Sequence, residues 1–197
     1  MTGFFSKLRE RIADAMEPGV RRLELHGIPV TVENTREDIA TSDVIERLDE
    51  ALGLIATHQP WRLRHIKRDV RRINVVRYPC RGAFIPDERT IVTELTFLAR
   101  RDISAAPVAS SILHEGVHAR VHAMGVSPYN RDRAKEERLC RRAELSFGRS
   151  LPRELGAPVV ERAIASLQLE DHDVAPAIDW NEAMQRTVDV DREARGG

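Results

Sequence analysis

The stretch that most limits how this chain can fold is Ser111-Ile112-Leu113-His114-Glu115-Gly116-Val117-His118-Ala119-Arg120. Two histidines and a glutamate stand here among uncharged neighbours, so a helix through them must be largely buried. Buried polar side chains are costly unless they find partners, and the rest of the chain has to supply them. Residues four apart on a helix lie one above the other on the same face, so His114 and His118 can offer two imidazole nitrogens to one ion. For Zn²⁺ the bonds would be about 2.0–2.1 Å long. Glu115, beside the first histidine, is placed to take a proton from an attacking water. Pro107 with Ser110 and Ser111 suggests where this helix starts, and Gly125 with Pro128 suggests where it stops.

A second helix is expected from about Asp132 to Leu151, after the turn at residues 125–130. Leu139, Cys140, Ala143 and Phe147 cluster on one side of its helical wheel. Glu144 falls almost in line with Glu137, while Glu136 falls inside the apolar stripe. Cys140 reads as a small core residue.

The His-Glu-x-x-His core resembles the zincin metallopeptidases, and the likeness extends over roughly Thr90 to Leu151. The metzincin continuation is missing, because Val121 and Met124 stand where that pattern has Gly and His. His122 cannot replace it, since His114 and His122 are about 12 Å apart along one straight helix. The remaining branch, the gluzincins, takes its third ligand from a glutamate on the following helix. In thermolysin-like enzymes that glutamate sits at the edge of the apolar stripe, about twenty residues after the second histidine. Glu137, nineteen residues after His118, matches, and Glu136 is its rival. The thermolysin-like aspartate four residues further on, which bonds a metal-bound histidine, is Arg141 here. Glu144 is the nearest substitute, either as that acceptor or as a solvated charge paired with Arg141 or Arg142. Tyr129 and His122 are the nearest candidates for stabilising an oxyanion.

The resemblance implies one Zn²⁺ per chain held by His114, His118 and Glu137, with Glu115 as general base. The implied activity is peptide-bond hydrolysis, and the implied partner is a peptide or protein substrate. It also implies that the strand before the metal helix holds peptides at the cleft by β-augmentation. The alternative is a non-catalytic metal-binding or peptide-interaction module on the same scaffold. Glu115 argues against it, as does the lack of an obvious fourth protein ligand nearby in sequence.

Composition narrows the partners. Lys+Arg and Asp+Glu both total 31, so bulk charge favours no class of partner. No apolar run approaches the ~20 residues of a membrane span, the N-terminus makes a poor signal peptide, and Cys80 and Cys140 form no disulfide framework. A cytoplasmic protein is expected. The strongly basic segment 62–81 could face nucleic acid, but the acidic C-terminal third is a ready counter-charge, so nucleic-acid binding is not expected.

Further elements follow from periodicity. Residues 4–16 form an amphipathic opening helix, and residues 22–32 make one or two short strands around Gly27. Ser42 caps a helix that stops before Pro60. Leu63, Ile66, Val70 and Ile73 recur at the spacing of a basic amphipathic helix, and Ile73–Val76 then form a strand. Thr90–Arg100 alternates as a strand, and Pro158 opens a last helix. The expected fold is α+β: a small, twisted, mostly antiparallel sheet packed on the candidate metal helix and the helix after it. Residues 1–169 form one domain and 170–197 an acidic, partly ordered tail.

Overall fold

The computed structural model describes residues 19–125, 132–175 and 179–196, without the side chains of Trp180 and residues 193–196. The expected opening helix 4–16 and Tyr129 lie outside these residues. The fold is α+β, with eight helices and a five-stranded sheet among the described residues.

Strands β1 (Val20–Leu25) and β2 (Ile28–Glu33) form an antiparallel hairpin. Its turn, His26-Gly27, has φ of 49° and 76°. Positive φ at both turn positions matches the right-handed twist of the flanking strands. Helices α1 (Thr41–His58) and α2 (Pro60–Asp69) then cross over to β3 (Arg72–Val76), which pairs parallel with β2. Strand β4 (Gly82–Ile85) pairs antiparallel with β5 (Thr90–Glu94), and β5 inserts parallel beside β3. The order is β1-β2-β3-β5-β4.

Two of the four neighbouring pairs are parallel, so the sheet is mixed rather than mostly antiparallel. The helical crossover after β2 imposes this, because a strand returning over a sheet face re-enters in the same direction. The expected long strand 90–100 stops at Glu94, and Leu95–Ala99 is a short helix, α3. Glu94 ends the strand chemically: its carboxylate accepts from Phe97 N at 2.7 Å and caps α3. Strand β5 is also internal, so the edge strand on that side of the sheet is β4.

The sheet packs its alternating apolar residues, Ile28, Val30, Val32, Ile73, Val75 and Ile91, against helices. Val44, Leu48, Leu52 and Ile55 of α1 meet them, as do Ile112 and Leu113 of α4 (Ala105–Ala123). Helix α4 begins earlier than Pro107 suggests, because Ser104 is its N-cap and accepts from Ala106 N. Likewise α1 starts at Thr41, and Ala40 at its N-cap provides no side-chain bond, so Ser42 lies within the helix. Gly116 sits where α4 crosses α2: a Cβ there would lie 2.8 Å from Ile66 Cγ1.

Helix α5 (Arg133–Ser150) is capped by Asp132, which accepts from Lys135 N at 3.0 Å. Helix α6 (Arg153–Leu167) begins five residues before Pro158, which sits inside it. Gly156 lets α6 come onto α5, since a Cβ there would lie 2.1 Å from Gly148 O. The acidic C-terminal segment holds α7 (Asp171–Val174) and a long helix, α8 (Trp180–Gly196). Asp191 of α8 pairs with Arg36 at 2.8 Å and Arg77 at 2.9 Å. The expected internal counter-charge is therefore present at Arg77, whereas Arg68 pairs with Asp69 and Arg72 with Glu88. No described helix is long and apolar enough to cross a membrane.

Candidate metal centre

Helix α4 carries the two histidines and α5 brings three carboxylates to them. His114 Nδ1 lies 2.6 Å from Glu144 Oε1, and His118 Nδ1 lies 2.7 Å from Glu136 Oε1. A carboxylate only accepts, so each Nδ1 carries the proton and donates. A neutral ring then turns the lone pair of Nε2 the other way. Both Nε2 atoms face the same small volume, 3.2 Å apart. Glu137 closes it from α5, with Oε2 3.2 Å from His114 Nε2 and Oε1 3.3 Å from His118 Nε2.

These separations can be tested against an ion. Four ligands about 2.0–2.1 Å from a tetrahedral centre stand roughly 3.3–3.4 Å apart. The two nitrogens and the Glu137 oxygens meet that spacing to within about 0.2 Å. Cys140, one turn along α5 from Glu137, places Sγ 3.6 Å from His118 Nε2. With a sulfur bond near 2.3 Å, the tetrahedral separation is about 3.6 Å. His114, His118 and Cys140 together form a group whose donor atoms all lie within 4.8 Å of one another. The reading of Cys140 as a core residue is thus incomplete. It is fully buried, and its sulfur lies beside the histidines. Its spacing from Glu137 on one helix was the signal available in the sequence.

Electrostatics point the same way. Burial works against charge on His114, but Glu137 and Glu144 outweigh it and raise its pKa to about 10. At His118 burial is again outweighed, by Cys140, Glu136 and Glu137, and the shift is upward. Glu137 would be raised by burial, but both imidazoles hold it well below the usual carboxylate range. Glu144 is also held down, chiefly by His114 against burial. The cluster pulls positive charge into a buried place, as a site built for a cation would. His114, His118, Glu137 and Cys140 could hold that cation.

Glu115 stands apart from this set. It is 8% exposed, and burial raises its pKa against the pull of His114 and His118. It makes no hydrogen bond or ion pair among the described residues. It lines a cavity of about 440 Å³ together with Gly82, Ser111, His114, His118 and Glu137. Gly82 admits the edge strand here, since a Cβ would lie 3.2 Å from Ser111 Oγ and 3.4 Å from Glu115 Cγ.

The two readings of Glu144 combine. It is 2% exposed, accepts from His114, and is itself gripped by Arg141 Nη1 at 2.7 Å. Glu136, the rival third ligand, is spent on His118 Nδ1. His122 does not line the cavity; its ring packs on Phe84 of β4, with centroids 5.8 Å apart.

No protein-family model, curated protein or solved structure matches this chain. The residues of the site therefore carry the functional argument alone.

Proposed function

We propose that the chain is a zinc-dependent hydrolase of peptide bonds. The observation that carries this reading is the convergence of His114 Nε2, His118 Nε2 and the Glu137 carboxylate, each nitrogen 3.2–3.3 Å from the other donors it faces, as around a single ion. His114, His118 and Glu137 hold the ion, and Glu144 and Glu136 fix the two rings from behind. When bound, zinc polarises the scissile carbonyl and makes an attacking water more acidic. Glu115 takes the proton of that water and later delivers it to the departing amine. Its burial, which raises its pKa against the pull of His114 and His118, favours its holding the proton between the two transfers. The cavity lined by Glu115 and Glu137 admits the substrate.

A second reading has one specific observation in its favour. Cys140 supplies the fourth protein donor that a closed, non-catalytic site needs, and it does not line the cavity. The chain would then be a metal-binding interaction module.

Elemental analysis should find one zinc per chain. Glu115→Gln should keep that zinc while hydrolysis of a peptide library falls by about 10²–10⁴. Cobalt substitution separates the readings: a thiolate charge-transfer band, together with loss of metal in Cys140→Ala and an inert wild type, establishes the module. Cleavage retained in Cys140→Ala with metal bound establishes the hydrolase.

A further inference from the structure

Four arginines line the 440 Å³ cavity, and three of them reach it from three separate elements: Arg81 just before β4, Arg141 on α5 and Arg162 on α6. Arg141 has Glu144. Neither Arg81 nor Arg162 has a carboxylate within ion-pair distance among the described residues. The three guanidiniums also feel one another. The pKa of Arg162 is lowered first by burial, then by Arg81, with Arg141 adding to it and Glu144 opposing. Arg81 is lowered by burial, then by Arg100 and Arg141, again against Glu144.

Such repulsion is a cost that a purely structural arrangement would relieve by turning the side chains outward. Here it is maintained. The Arg81 guanidinium lies over the Phe97 ring, 5.1 Å from its centroid, which holds the fork in place. Arg141 Nε is buried and has no hydrogen-bond partner. Among the described residues, Glu144 is the one carboxylate in ion-pair contact with any of these three cations, and it is already committed to His114. An anionic group of a molecule in the cavity would pair with the guanidiniums that Glu144 leaves without a contact.

We infer that Arg81, Arg141 and Arg162 form a carboxylate-binding subsite beside the candidate metal centre. Guanidinium suits this ligand because its planar fork matches a carboxylate with two parallel N–H···O bonds. Within the peptide-hydrolase reading, on which the word substrate rests, the preferred substrates are peptides bearing a free C-terminal carboxylate or an acidic side chain. The subsite itself stands on the arginines and does not need the hydrolase reading.

The test uses three acetylated peptides of otherwise neutral sequence: one with a free C-terminus, one C-terminally amidated, and one amidated with an internal glutamate. Calorimetry at low salt on the full-length, zinc-loaded Glu115→Gln chain measures binding without turnover. One or both carboxylate peptides should bind at least tenfold more tightly than the neutral amide. Which one does so identifies the source of the carboxylate. The Arg81→Gln/Arg162→Gln double variant should lose that preference and keep its zinc and its circular dichroism. If the double variant fails to fold, Arg162→Lys takes its place, keeping charge without the fork and reducing the preference severalfold. Equal binding of all three peptides, including no binding of any, overturns the subsite, as does a preference that survives the substitutions. Carboxylate preference in a wild type that cleaves nothing would remove the hydrolase reading and leave the subsite. Cleavage of all three peptides at equal rates, without a binding preference, would do the reverse.

Discussion

Two charged clusters in this molecule are built from similar residues and reach opposite conclusions. At the rim of the sheet, Arg36 and Arg77 face Asp191 and Glu94. Arg77 bonds both acids, Arg36 bonds Asp191, and Arg36 also holds Asp38. Cations and anions there close on one another. At the candidate centre, Glu115, Glu136, Glu137 and Glu144 surround two imidazoles, and Arg141 is taken by Glu144. A balanced cluster can serve the fold alone. An unbalanced one buried between two helices asks for a cation, since uncompensated charge in a protein interior is expensive.

The largest expected effect lies at Glu137. Glu137→Gln replaces an anionic donor facing both Nε2 atoms with a poor neutral one, so stoichiometric zinc and activity should both be lost. Dialysis followed by elemental analysis checks this. Retention of zinc in Glu137→Gln, with loss in Glu136→Gln, would shift the ligand to the neighbouring residue and break the comparison as drawn.

Next come the carboxylates behind the rings. Glu144→Gln and Glu136→Gln should each weaken zinc about 10–100-fold, measured by competition with a chelator, because each one orients an imidazole from its far side. In the wild type, zinc at about a thousand times its dissociation constant should add roughly 4 kcal/mol to stability, seen as a concentration-dependent Tm. A Tm indifferent to zinc would place the candidate centre in the same class as the rim cluster.

The smallest effect belongs to the rim. Asp191→Asn should cost about 1–2 kcal/mol and loosen α8 alone, since Arg77 keeps Glu94 and Arg36 keeps Asp38. Burial would raise the Asp191 pKa, but Arg77 and Arg36 outweigh it and hold it below the ordinary value. A depressed folded pKa means that the contribution is full above the unfolded pKa of about 4 and fades as pH falls through the folded one. Hydrogen exchange in residues 180–192 should therefore rise below about pH 4 in the wild type. In Asp191→Asn it should be raised already at neutral pH, where zinc content should not change.

Local chemistry was legible along the chain. The four-residue histidine spacing put both rings on one face of a helix, and the apolar neighbours announced that this helix is buried. The second helix and its bounds near Asp132 and Leu151 followed from 3.6-residue periodicity, whereas the preference for Glu137 over Glu136 rested on the resemblance to thermolysin-like enzymes. These are short-range regularities, and a linear sequence carries them in full.

What tertiary structure alone decided depends on which elements meet. The parallel pairing of β2 with β3 and of β3 with β5 arises from a crossover that no strand announces in its own residues. Edge position passed to β4 because β5 inserted beside β3, and alternation along a strand does not reveal its neighbours. Cys140 and Phe147 share an apolar stripe, and only the tilt of α5 on α4 sends the sulfur to His118 while the ring enters the core. Arg81, Arg141 and Arg162 are far apart in sequence and become one cluster only when β4, α5 and α6 pack around a common cavity. Sequence spacing can specify one face of one helix, whereas the function of a site depends on several faces coming together, and packing chooses those faces.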